Sequence, residues 1–133
     1  ISSTNGEFDG FSLEYILGQV FRIFAFVMGV DWNETLEVGS LLGQKTVINE
    51  FVAYLSMSEM KAENIIDGKA LVIATYALCG FSNFSSIAIQ IGGIGSIAPN
   101  QQGNLSRLGL WAVLAATIAC MMTGTIAGML VQF

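Results

Sequence analysis

The chain consists of long apolar stretches that are interrupted by short polar clusters. Four such stretches can be separated, namely residues 11–29, 36–57, 70–97 and 108–131. A helix needs about 20 mostly apolar residues to cross the hydrocarbon core of a bilayer. The pattern therefore predicts an all-α integral membrane protein, and the polar clusters decide how each stretch is arranged.

The first stretch, 11–29, predicts an interfacial helix. Its polar residues Glu14, Gln19 and Arg22 are spaced so that a helix would carry them on one side. A helix with one polar stripe is typical of a segment lying in the plane of a membrane surface.

The second stretch, 36–57, predicts a re-entrant helical hairpin. It has the length of a membrane span, but a lipid-facing helix would be destabilised by the small and polar residues of its first half and middle. Two arms of about ten residues are each too short to cross a bilayer, and a bend between them is tolerated where it is buried in protein or lines a cavity. We place the turn within 45–49; the interrupting residues are Gly39, Gly43, Gln44, Lys45, Thr46, Asn49 and Glu50.

Glu50 is the candidate functional residue of this hairpin. Asn49 is a suitable cap for the second arm, and Glu50 lies in its first turn, where the helix dipole favours a carboxylate. A carboxylate at membrane depth costs about 2.5–3.5 kcal/mol and usually faces a cavity, a partner or a substrate. A ligand site and a purely structural role, as a cap or as the partner of Lys45, both stay open.

The third stretch, 70–97, predicts a transmembrane helix that is broken in its middle. Residues 80–86 combine one glycine with one amide and three hydroxyl side chains. Broken helices expose free backbone ends that bind ions and polar substrates. Asn83 and Ser86 are the candidates here, although polar residues also serve as hydrogen-bonding contacts between membrane helices.

The remaining segments are simpler. Residues 56–69 are polar and predict an aqueous connection, and 99–107 predict a loop. The last stretch, 108–131, predicts a transmembrane helix with a face of small residues suited to close helix packing, namely Thr117, Thr123, Gly124, Thr125 and Gly128.

Composition supports a membrane protein and excludes several function classes. Hydrophobic residues make up 53% of the chain and charged residues 11%, against roughly 25% charged residues in soluble domains. The net charge of −5 and the lack of a basic patch exclude a nucleic-acid partner. With no histidine, no metal-ligand cluster and no activated nucleophile, we expect no enzyme, no metal and no cofactor. Because the chain begins at Ile1, we expect a piece of a longer polypeptide.

Several motifs resemble the C-terminal half of the concentrative nucleoside transporters. They occur in the family's order, at residues 39–55, 79–86, 92–99 and 123–128. The resemblance covers the chain from about Gly18 onward. The family is one of ion-coupled transporters that form homotrimers. Two inverted repeats each supply a re-entrant hairpin and a broken helix around one midplane site. The resemblance implies that this chain is the second repeat.

The resemblance also implies roles for individual residues. Glu50 would accept hydrogen bonds from ribose hydroxyls, Asn83 and Ser86 would complete the ribose contacts, and Phe81 would pack on the sugar. Asn49 and Lys45 would support the site, whereas the hydroxyl of neighbouring Ser85 is not assigned to substrate.

The function implied by the resemblance is nucleoside uptake across the plasma membrane, in bacteria the inner membrane, coupled to sodium or protons. The nucleobase contacts and the ion site would lie in the first repeat. The alternative is a structural or pore-forming membrane module, in which the small-residue face drives assembly and the polar clusters only join helices.

Overall fold

The computed structural model describes residues 13–66 and 68–131, without the side chains of residues 13 and 14, so that of Glu14 lies outside the description. Within this part the chain is helical and contains no strand, which confirms the all-α prediction. Short 3₁₀ turns, Trp32–Glu34 and Pro99–Gln101, precede the second and sixth helices. The α-helices are Leu13–Val27 (α1), Thr35–Val47 (α2), Glu50–Ala62 (α3), Gly68–Leu78 (α4), Phe84–Ile97 (α5) and Gln102–Leu130 (α6).

The predicted hairpin segment forms two helices, α2 and α3, separated at Ile48 and Asn49. Asn49 is extended, with φ −170° and ψ 170°, and its side-chain oxygen accepts a hydrogen bond from the Val52 N–H at 3.0 Å. This is an N-cap, which satisfies one of the free donors at the start of α3. Each helix has 13 residues and is about 20 Å long, too short to cross a bilayer by itself.

The predicted broken segment also forms two helices, α4 and α5, and the break covers residues 79–83. Gly80 has φ +144°, in the region that favours glycine, and a Cβ there would lie 2.8 Å from Cys120 Sγ. Asn83 is extended and caps α5, since its Oδ1 accepts the Ser86 N–H at 2.8 Å. The break is therefore built from a glycine that bends the chain and an amide that restarts the helix.

Glycines set the closest helix contacts. A Cβ on Gly39 of α2 would lie 2.6 Å from the Gly18 carbonyl oxygen and 2.8 Å from the Arg22 nitrogen of α1. Gly124 and Gly128 of α6 are buried against Ile73 of α4. The two glycines of the predicted small-residue face thus pack against another helix of the same chain. The core between these helices includes Ala25, Val38, Leu41, Ile73, Ala74, Ala77 and Leu78.

Two helix boundaries differ from the sequence predictions. The polar connection is partly helical because α3 continues to Ala62, and the last helix begins at Gln102, ahead of the predicted Leu108. Pro99 opens a 3₁₀ turn, where its missing N–H would have had no partner, so the chain enters α6 directly. Among the described residues, Pro99–Leu130 is the one helical stretch whose length and composition suffice for crossing a membrane.

One member of the predicted polar stripe of the first helix, Arg22, lies against the start of α2 and the 3₁₀ turn before it. Arg22 is half-buried, donates from Nε to Thr35 Oγ1 at 3.0 Å, and lies 4.2 Å from the centre of the Trp32 ring. The 3₁₀ turn before α2 supplies Trp32 and the first residue of α2 supplies Thr35, and both draw the guanidinium inward. The exposed large apolar side chains of α1 are, among the described residues, Ile16, Val20, Ile23, Phe24, Phe26 and Val27.

Candidate functional site at two helix N-termini

The N-termini of α3 and α5 meet in space. Glu50 is the first residue of α3 and Asn83 caps α5, and Asn83 Nδ2 donates to Glu50 Oε2 at 2.9 Å across 33 residues of sequence. A second bond lies beside it, in which Ser85 Oγ donates to the Ile48 carbonyl oxygen at 3.1 Å. The structure thus brings together the two polar clusters that the sequence singled out separately.

Both helices present the positive ends of their dipoles to this point. The first N–H groups of a helix lack intrahelical acceptors, so they attract negative charge and acceptor atoms. The Glu50 carboxylate fits this environment, and among the described residues only its Oε2 has a protein partner. Oε1 remains available to accept a hydrogen bond from a ligand.

The Asn83 side chain uses both ends of its amide. Its Oδ1 accepts from the Ser86 N–H and from Ser86 Oγ, each at 2.8 Å, while its nitrogen donates to Glu50. Asn83 is 2% exposed, whereas Glu50 and Ser86 are half-buried. A buried, fully oriented amide therefore holds a more accessible carboxylate and hydroxyl in place. Such a group of acceptors and donors suits a ligand with several hydroxyls.

Phe81 lines a cleft to which the Glu50 carboxylate does not contribute. Its side chain is 78% exposed and lines, together with Ser86 and Gln90, a mostly apolar cleft of about 610 Å³ between α5 and α6. Glu50 and Asn83 do not line this cleft. We place the candidate site at the helix N-termini, where the polar groups converge, with Ser86 connecting it to the cleft.

Of the two supporting residues, Asn49 has the capping role predicted from the sequence and Lys45 has a different partner from the one considered there. Asn49 caps α3, as described above. Lys45 does not pair with Glu50: its Nζ donates to the Ala77 carbonyl oxygen at 2.8 Å. Sequence reasoning also missed the contact between Ser85 and the Ile48 carbonyl, because a backbone acceptor leaves no signal in the sequence.

Comparisons with known proteins agree with this architecture. The profile of the family described as "Na+ dependent nucleoside transporter C-terminus" matches residues 2–128. YutK, a transporter of Bacillus subtilis (strain 168), is 49% identical over 122 residues, which cover 92% of this chain and 30% of YutK. The nucleoside permease NupC of Helicobacter pylori is 40% identical over 123 residues, covering 90% of this chain and 29% of the permease.

A solved structure gives the same result for the fold. CNTnw in an inward-facing substrate-bound state is 41% identical and superposes with a TM-score of 0.83, covering 88% of this chain and 29% of that one. The chain thus spans less than a third of the length of these relatives. It belongs to the concentrative nucleoside transporter family, which consists of membrane transporters and not of enzymes, and it matches the family's C-terminal region.

Proposed function

We propose that this chain is the C-terminal part of a longer transporter that takes up nucleosides, and that it supplies the half of the site that binds ribose. The contact between Glu50 and Asn83 carries the proposal. It places an accessible carboxylate at two converging helix N-termini, inside a chain whose family transports nucleosides.

The chemistry of the site fits a ribose. A ribose offers hydroxyl donors, and an ionised carboxylate accepts stronger hydrogen bonds than a neutral oxygen does. Glu50 Oε1 would accept a hydrogen bond from one ribose hydroxyl. Ser86 Oγ would give up its hydrogen bond to Asn83 and form one with a second ribose hydroxyl. Phe81, which is exposed, would pack on the sugar. A site built in this way rejects analogues that lack the hydroxyls, because its own polar groups would stay unpaired.

The remaining assignments belong to the whole transporter. The α2–α3 pair acts as the re-entrant hairpin, α1 lies at the membrane interface, and the chain forms the second of two inverted repeats in a homotrimer. The first repeat supplies the nucleobase contacts and the site for the coupling ion, sodium or proton. We place the protein in the plasma membrane, in bacteria the inner membrane.

Uptake of labelled uridine by the full-length transporter tests the proposal. Glu50→Gln keeps the shape of the side chain but removes its charge, so we expect uptake to fall at least about tenfold at equal membrane abundance, as expected for losing a hydrogen bond to a charged group. Glu59→Gln is the matched control, since Glu59 is exposed on the same helix, and it should transport normally.

Normal uptake by Glu50→Gln would refute the ribose assignment. The structural-module alternative makes the opposite prediction: the substitution would reduce the amount of folded protein while the remaining molecules still work. Detergent-solubilised yield and melting temperature, measured on the same samples, separate these outcomes.

A further inference from the structure

A buried lysine closes the C-terminal end of α4. Lys45 is 2% exposed, and its Nζ donates to the Ala77 carbonyl oxygen at 2.8 Å. Ala77 lies in the last turn of α4, where carbonyl groups have no intrahelical donor. The negative end of the helix dipole adds an attraction for the ammonium group.

A second side chain, which belongs to α3, donates a hydrogen bond to the same last turn of α4. Tyr54 of α3 donates from its hydroxyl to the Thr75 carbonyl oxygen at 2.7 Å. Thr75 and Ala77 both belong to the last four residues of α4, whose carbonyls a helix end leaves free. Each helix of the α2–α3 pair therefore supplies one donor to the end of α4.

The residues that make these contacts lie close in sequence to the candidate site, in both of the segments that form it. Lys45 lies just before the break between α2 and α3, and Glu50 lies just after it. In the same way Ala77 precedes the break between α4 and α5, and Asn83 is the last residue of that break. The bond from Lys45 to Ala77 and the bond from Asn83 to Glu50 therefore join the two breaks at two points.

Stability alone does not account for a lysine at this position. Removing an ammonium group from water is costly, and well-packed apolar residues often replace buried charges at no loss of stability. Polar residues kept at membrane depth usually have a function. A lysine that fixes the distance between two helix breaks has a function, because a shift of about 1 Å in the groups that contact a ligand is enough to weaken those contacts.

We propose that Lys45 and Tyr54 are positioning residues that clamp the end of α4 and thereby hold Glu50 against Asn83 for nucleoside binding. This inference rests on the function proposed above. Neither residue touches the substrate; they act through the geometry of the two breaks.

The test uses the full-length transporter purified in detergent, with the uridine Kd from titration calorimetry and the melting temperature measured on the same samples. Lys45→Met keeps most of the length of the side chain without a donor, and we expect Kd to rise at least about tenfold. Lys45→Arg should restore part of the affinity because it keeps the charge and the donors. Tyr54→Phe removes a single oxygen and should raise Kd about threefold to tenfold. Lys61→Met, at an exposed lysine on α3, is the control and should bind like wild type.

The outcomes separate this proposal from a purely structural role. A Kd for Lys45→Met within about twofold of wild type in the folded fraction, with only the melting temperature lowered, would overturn the clamp. If Lys45→Met does not fold, the Kd of Tyr54→Phe decides in the same way. Wild-type protein that fails to bind uridine would overturn the proposed function, and the clamp with it.

Discussion

At the scale of single residues, Asn83 connects the backbone to the site. Its oxygen caps α5 and its nitrogen holds the Glu50 carboxylate. Asparagine is among the preferred N-cap residues, and it also offers donors that an aspartate or serine cap cannot direct at a carboxylate in this way. The sequence pointed to both residues, but the bond between them follows only from the packing.

Two substitutions of Asn83 separate its roles. Asn83→Ser keeps a capping oxygen but cannot reach Glu50, so we expect uridine uptake to fall at least about tenfold with little loss of stability. Asn83→Ala also removes the cap, which typically costs about 0.5–2 kcal/mol, so its melting temperature should fall as well. Uptake and melting temperature are measured on the full-length transporter at equal abundance. Normal uptake by Asn83→Ser would contradict the role of the contact with Glu50.

At the scale of helices, the pairing of α1 with α2 depends on the absence of a side chain at Gly39. The atoms that a Cβ would meet there belong to the backbone of α1, at Gly18 and Arg22, so they cannot rotate away. Gly92 of α5 offers a contrast, since no atom of the described residues lies within 4 Å of a Cβ at that position. Glycine thus sets the helix spacing at position 39, whereas at position 92 it makes room for no other side chain or backbone of the described part of the chain.

We therefore expect opposite effects of alanine at these two glycines. Gly39→Ala should force α1 and α2 apart and destabilise the protein by about 1–3 kcal/mol, the usual cost of overpacking. Gly92→Ala should be neutral or stabilise α5 by up to about 1 kcal/mol, because alanine favours helix over glycine. Thermal melting of the purified transporter measures both. A Gly39→Ala protein as stable as wild type would show that the close approach of α1 and α2 is not required.

At the scale of the whole molecule, the chain leaves much apolar surface uncovered. The longest helix, α6, buries Val113, Gly124 and Gly128 and exposes most of its large side chains. The cleft beside α5 is likewise open, with Phe81 at its edge. Apolar surface of this extent needs lipid or further protein to cover it. The exposed residues of α6 include Leu108, Leu110, Trp111, Leu114, Ile118, Met122, Ile126 and Met129.

The chain by itself should accordingly bind nucleoside poorly. The proposed site has its ribose groups here and its nucleobase contacts in the first repeat, so the isolated chain would lack the nucleobase contacts. We expect no saturable binding of uridine below millimolar concentration by the isolated 133-residue chain in detergent. The full-length transporter, measured in parallel, should bind. Submillimolar binding by the isolated chain would mean that these residues form a complete site.

The sequence by itself determined the helical class, the two interrupted segments and the candidates Glu50 and Asn83. These features are local: apolar runs predict helices, and glycines and capping amides predict where helices stop and restart. The tertiary structure alone decided which polar groups meet. In the folded chain Asn83 donates to Glu50, Lys45 donates to the Ala77 carbonyl and Arg22 donates to Thr35. Such contacts join residues far apart in the chain, often through backbone carbonyls that every residue carries, so no pattern of side chains specifies them.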